Sequence, residues 1–140
     1  GTRGHVDMTV TVPSAGVLLV HVQNDPAHPD YRITREILDV VRDGRDVRGE
    51  PWEIIEVPAP RALRDSVDWV DYSYINHLVV NGGVIGCAFD DPNDMRAQEI
   101  LRSAYPGREV VMVPAKDVFM GGGGIHCITQ QQPAAERSPQ

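Results

Sequence analysis

The sequence is poor in the features that mark several large classes of protein. It has only two cysteines in 140 residues, too few for the disulfide framework of a small secreted domain, so a reducing, cytoplasmic compartment is expected. No apolar run approaches the roughly 18 residues that a membrane-crossing helix needs, and no membrane partner is expected. The longest apolar stretches have the length of strands. Cations are in deficit: 13 Lys and Arg against 20 Asp and Glu leave a formal net charge of -7. That argues against a nucleic-acid partner, since phosphate contacts require clustered Lys and Arg, and it suits a cationic ligand. There is no CxxC or HxxxH spacing, which weakens any metal reading. A secretory signal is lacking, and the chain opens on Gly1 without an initiator methionine. We therefore expect the natural N-terminus, with any targeting signal, to lie further upstream.

What is present is a repeated pattern. With 41% hydrophobic and 24% charged residues, the chain can bury one modest core. The apolar run Val17 to Val22 is followed by "QNDP" and a helical pattern, and "GVIGCAFDDPND" from Gly83 to Asp94 repeats the plan. Gly16 to Pro26 and Gly83 to Pro92 thus read as two copies of one unit. Downstream, "WEIIEVPA" (Trp52 to Ala59) matches "REVVMVPA" (Arg108 to Ala115). Two matched blocks in the same order indicate a duplicated module with the α/β plan strand, turn, strand, helix, strand.

In the first copy the alternation of residue types predicts strands over Val6 to Val12, Val17 to Val22 and Trp52 to Val57. A helix is predicted over Asp30 to Val41, with the stripe Ile33, Ile37, Leu38 and Val41. In the second, strands are predicted over Ile75 to Val80, Val84 to Phe89 and Glu109 to Val113, and a helix over Asn93 to Ala104 with the stripe Ala97, Ile100, Leu101 and Ala104. Gly82-Gly83 suits a tight hairpin turn, and "DDPND" offers Asp and Asn caps with an early proline. "PAKDVFM" suits one helical turn and "IHCIT" a short strand. We expect one folded unit over 1–133, with modules at about 5–58 and 73–114 and a further segment at 115–132, followed by a disordered tail over 134–140. Two such modules leave sheet edges uncovered, so further modules are expected in a longer parent chain or a partner.

The candidate chemical residues lie at the two ends. Cys127 follows Gly121 to Gly124, a cluster that lets the backbone turn sharply and a ligand approach closely. The commoner reading of any one cysteine is a small buried residue, and Cys87, inside an apolar run, fits it. His5 and Asp7 are two residues apart, which on a strand places both on one face. Together they would offer a thiol a proton partner and a guanidinium a carboxylate, although His-x-Asp alone is common by chance. His126, next to Cys127, would point away from it on a strand. A metal site built from His5, Asp7, His126 and Cys127 is the competing reading. A phosphate loop is disfavoured, because the glycines lack the following Lys-Ser/Thr. His21, His28 and His77 read as structural or exposed, and Asp90, Asp91 and Asp94 as turn and cap residues of the second helix.

Three strings go further. "GGGGIHCITQQQP" (Gly121 to Pro133), "NGGVIGCAFDDPND" (Asn81 to Asp94) and "GHVD" (Gly4 to Asp7) resemble the agmatine deiminase family, also described as the bacterial-type peptidylarginine deiminases, and the likeness runs through nearly the whole chain to Pro133. It implies a pentein fold, a propeller of five α/β modules, of which this chain would be the C-terminal part. It implies Cys127 as nucleophile, His5 as proton-transfer residue and Asp7 as the guanidinium-binding carboxylate. It also implies a small cationic guanidine substrate, with agmatine favoured and free or peptide C-terminal arginine as alternatives, no metal or organic cofactor, and a homo-oligomer at full length. Further acidic residues of the family's site precede "GHVD" and would come from the missing N-terminal half. A non-catalytic pentein fragment acting as an assembly module is the reading from another class. Two positions depart from the family pattern: Gly124, where Asn is usual, and His77, where an aromatic residue is usual.

Overall fold

In the computed structural model, which describes residues 4–61, 64 and 68–133, the β-branched runs become strands where glycine and proline bound them. The first unit contains β1 (Val10–Ser14), β2 (Val17–Val22), α1 (Tyr31–Asp43) and β3 (Glu53–Pro58). The second contains β4 (Leu78–Val80), β5 (Gly83–Ala88), α2 (Asp94–Ala104) and β6 (Glu109–Pro114), and a short helix, α3 (Lys116–Met120), follows. Each unit forms a three-stranded sheet, ordered β1-β2-β3 and β4-β5-β6. In both, a hairpin joins the first two strands antiparallel and a helical crossover returns the third parallel to the second, as parallel neighbours require.

The duplication extends to individual hydrogen bonds. Glu53 N–H donates to the Gly16 carbonyl and Glu109 N–H to the Gly82 carbonyl, each at 2.9 Å. At the other end Ala59 N–H reaches Val22 O at 2.8 Å and Ala115 N–H reaches Ala88 O at 2.9 Å. Gly16 therefore corresponds to Gly82, one residue earlier than the sequence pairing with Gly83. With that shift Pro26 falls on Pro92 without a gap, and His21 falls on Cys87. Gly16 and Gly82 take the positive φ of the hairpin turns, at +81° and +75°, where a side chain would be strained, and Gly83 is already the first residue of β5.

Period-two alternation along β2 divides its side chains between two cores. Leu18, Val20 and Val22 pack with Leu38 of α1 in one cluster. Leu19 faces the other way, with Met8 and Val57, into a larger cluster shared with Tyr74, Phe89, Leu101 and Phe119 of the second unit. The first sheet is thereby covered by its own helix on one face and by the second unit on the other. Phe89 lies 5.0 to 5.1 Å, ring centre to ring centre, from Tyr72, Tyr74 and Phe119, so the few aromatics concentrate at this junction.

Several sequence expectations are corrected. The strand predicted from Val6 does not begin until Val10, because Val6–Met8 form a 3-10 turn. The Thr9 N–H and hydroxyl both donate to the Val6 carbonyl, at 2.9 and 3.1 Å, the local competition through which threonine diverts backbone from a ladder. The strand predicted from Ile75 is confined to Leu78–Val80: Ser73 Oγ accepts the Ile75 N–H at 3.1 Å, and His77 N–H turns back to Ile75 O at 2.8 Å. "IHCIT" is a turn rather than a strand, with Ile128 N–H returning to Gly124 O at 3.3 Å. Asp30 and Asn93 stand at the helix N-termini without capping through their side chains. Asp94 instead accepts the Phe89 and Asp91 N–H groups and the Tyr74 hydroxyl, closing the end of β5. The tail expected to be disordered, 134–140, lies outside the described residues.

Candidate active site

The 3-10 turn replaces strand geometry at His5 and Asp7, so the two do not share a strand face. Asp7 is half-buried, and its Oδ2 is the point on which two residues from the other end of the chain converge. His126 Nδ1 lies 2.8 Å from it, and Cys127 Sγ, as a thiol, donates to it over 3.3 Å. His126 does not point away from this site, because on a tight turn adjacent side chains are not held to opposite faces. His5 is exposed at the head of the turn, and its ring does not cap it.

Behind the thiol sits Asn76, fully buried at 0% exposure. Its Nδ2 donates to Cys127 Sγ at 3.2 Å and to the Asp7 carbonyl at 3.1 Å. Its Oδ1 accepts the His126 N–H at 3.0 Å and the Cys127 N–H at 3.4 Å. Ser73 Oγ donates to the Met8 carbonyl at 2.8 Å, a second tie between the segment before β4 and the 3-10 turn. Sequence reading did not single out Asn76. Its one signal was a lone amide in the otherwise apolar and aromatic stretch Tyr74-Ile75-Asn76-His77-Leu78.

The glycine cluster makes room for this arrangement. A Cβ on Gly123 would lie 3.0 Å from the Cys127 Cβ, and one on Gly124 would run into Asn76 Oδ1 and, at 2.6 Å, into Phe119 Cζ. Gly122 takes a φ of +101° with open space around it. The buried face of α3 anchors Phe119, and the loop turns from there to present the exposed Cys127.

Burial pushes the Asp7 carboxyl up, but the hydrogen bonds of His126 and Cys127, the positive charge of a protonated His126 and the Asn76 amide outweigh it. The net effect holds the carboxyl below its ordinary value, so Asp7 is an anion at neutral pH and suited to a planar cation. Cys87 differs in every respect. It is fully buried, its Sγ donates to the Asn76 carbonyl at 3.2 Å, and burial pushes its thiol up to about 12. That makes it an inert structural cysteine.

A cavity of about 490 Å³ lies apart from the thiol, between α1 and the segment 70–73, with His21, His28, Asp30, Ile33 and Ile37 in its wall. The Asp30 N–H donates to His28 Nδ1 at 3.0 Å, so the neutral ring carries its proton on Nε2, which has no partner among the described residues. No three His, Cys, Asp or Glu side chains among the described residues form a group that would hold a metal ion, and no helix among them is long and apolar enough to cross a membrane.

Comparison with known proteins adds a family likeness to this geometry. Residues 1–133 match the family described as Porphyromonas-type peptidyl-arginine deiminase. A Streptomyces coelicolor protein provisionally named an agmatine deiminase is 52% identical over 134 residues, 95% of this chain and 40% of that protein. An agmatine deiminase of Pseudomonas fluorescens is 38% identical over 154 aligned positions, 97% of this chain and 42% of that one. The solved structure of an Enterococcus faecalis agmatine deiminase superposes with a TM-score of 0.87 at 28% identity, over 94% of this chain and 41% of the other. The chain thus spans about two fifths of the length of the relatives it matches.

Proposed function

Because this chain belongs to the Porphyromonas-type peptidyl-arginine deiminase family, we propose that it carries the thiol-bearing part of an enzyme that hydrolyses agmatine to N-carbamoylputrescine and ammonia. The observation that carries this reading is the convergence of Cys127 Sγ and His126 Nδ1 on Asp7 Oδ2. A nucleophile there stands beside an anion able to hold a guanidinium.

In this scheme a guanidinium binds Asp7 and takes over the carboxylate that the thiol proton had used. The cation also favours the thiolate. The Cys127 sulfur forms a bond to the guanidinium carbon, His5 gives a proton to one amino group, and ammonia leaves with the electrons of the broken C–N bond. A cysteine-bound thiouronium remains. Water then adds to the same carbon while His5, now a base, takes its proton, and the C–S bond breaks to return the thiolate and release the ureido product. No metal or organic cofactor is called upon. Additional acidic residues and the end of the site that reads the rest of the substrate would come from sequence outside this chain, completing a five-module propeller that assembles as a homo-oligomer.

One observation favours a second assignment of the proton transfer. His126, rather than His5, has its ring 2.8 Å from the carboxylate that the thiol also touches. Replacing each by Asn separates the two, since only the residue that moves the proton will remove the matching limb of the pH–rate profile.

The test is ammonia release from agmatine and from free arginine, by the chain alone and by the chain fused behind the N-terminal part of the Streptomyces coelicolor relative. We expect release from agmatine by the fusion only, with Cys127→Ala lowering it at least about a thousandfold. A Cys127→Ala fusion of full activity would falsify the scheme. A fusion that releases no ammonia and whose Cys127 resists a thiol-alkylating guanidine would favour the non-catalytic assembly module.

A further inference from the structure

We propose that Asn76 is a further catalytic residue of this site, its buried amide donating to the Cys127 sulfur and favouring its ionised form while it fixes the loop that carries the thiol. This rests on Cys127 being the nucleophile of the preceding section.

The argument begins with the amide's capacity. A carboxamide has two N–H donors and two acceptor lone pairs. Asn76 uses all four: Nδ2 reaches Cys127 Sγ at 3.2 Å and Asp7 O at 3.1 Å, and Oδ1 takes the His126 and Cys127 N–H groups at 3.0 and 3.4 Å. The orientation of the amide follows from these partners. Rotated by half a turn, it would set its oxygen against the Asp7 carbonyl and its NH2 against two N–H groups, leaving three clashes of like polarity. The N–H therefore points at the sulfur.

Its effect on the sulfur follows from charge. Asp7 is an anion 3.3 Å from Sγ and can accept only from the protonated thiol, so it opposes ionisation. The Asn76 N–H bonds better to a thiolate than to a thiol, because a hydrogen bond to an ion is about twice as strong. Asn76 thus acts on the reacting atom in the direction opposite to the resting Asp7. The main chain adds rigidity, since the Asn76 carbonyl accepts the His126 N–H at 3.3 Å and the Cys87 thiol at 3.2 Å. A side chain at Gly124 would displace Oδ1, so the glycine at this position and the buried amide are matched.

The experiment reads the thiol directly and needs no substrate. Asn76→Leu keeps the volume of the side chain and removes the N–H that meets sulfur without adding a charge. The rate of Cys127 alkylation by iodoacetamide is followed against pH in both proteins, Cys87 being buried and unreactive. The half-maximal pH should rise by about one unit in Asn76→Leu, with the circular-dichroism spectrum retained. A folded Asn76→Leu with the wild-type profile would overturn the proposal. Should that variant fail to fold, the 15N-labelled wild-type chain decides. The Asn76 side-chain amide protons should move as Cys127 ionises and stay still in Cys127→Ser, and resonances that stay still in the wild type would sink the idea. A chain that shows these effects yet releases no ammonia in the fusion would sink the deiminase reading and with it the catalytic role of Asn76, leaving only the amide's effect on the thiol.

Discussion

At His77, where the family resemblance leads one to expect an aromatic residue, the buried ring holds two hydrogen-bond partners. The ring Nδ1 donates to the Tyr74 carbonyl at 2.9 Å, and Nε2 accepts from the Tyr105 hydroxyl at 2.8 Å. Burial favours the neutral ring and outweighs the raising influence of the Tyr74 hydrogen bond. An aromatic hydrocarbon there would leave the Tyr105 hydroxyl buried without its acceptor. We expect His77→Phe to cost about 1–3 kcal/mol in urea unfolding, and His77→Phe/Tyr105→Phe to recover most of that loss, since removing both partners of a buried bond is far cheaper than removing one. The sequence does not disclose the partner of His77, 28 residues away. Cys127 was singled out as a candidate because glycine and the family string mark it. Asn76 and His126 were not, because their roles depend on turns bringing together residues 50 to 119 positions apart, which no local periodicity encodes.

Among the elements, the strands and helices with strong periodicity were the legible part, and the repeated blocks foretold even the matching of β2-β3 with β5-β6. Two of the misread strands fall where side chains intercept the backbone, at Thr9 and Ser73, and the third, "IHCIT", where the backbone closes on itself at Gly124. The α1 stripe was read from the sequence as four equivalent positions, but they divide. Leu38 is fully buried, Ile37 and Val41 pack against its cluster, and Ile33 remains half exposed beside the cavity. Since Leu38 is the one fully buried apolar residue that α1 contributes, Leu38→Ala should cost about 2–5 kcal/mol. Amide exchange should localise the damage, with protection falling along α1 while β5 and β6, which belong to the other cluster, keep theirs.

For the molecule as a whole, histidine rings shielded from water contribute to its response to acid. Burial, aided by the charge of nearby His28, lowers the His21 ring from 6.5 to about 4, and burial lowers His28 and His77 as well. Between those values the unfolded chain binds a proton that the folded chain refuses. The stability contributed by neutral His21 is therefore complete above about pH 6.5 and is lost progressively as pH falls toward about 4. Thermal unfolding followed by circular dichroism should show the melting temperature falling across that window, with His21→Gln flattening the fall. The doubled unit was legible at this scale too. Among the described residues the sheets end at β1 and β3 in one unit and at β4 and β6 in the other.

The contact between Asp7 and Cys127 joins positions 120 residues apart and depends on the first unit staying docked on the second through the shared core. Each time that junction opens, the thiol loses its carboxylate neighbour but keeps the Asn76 amide, which stays on its own side of the junction, and when it closes the carboxylate returns. How readily Cys127 ionises therefore depends on whether the two units are docked. Because the thiol is exposed in the closed form as well, its alkylation rate is a population-weighted sum over the closed and open forms, the open one reacting without the carboxylate that holds the thiol proton.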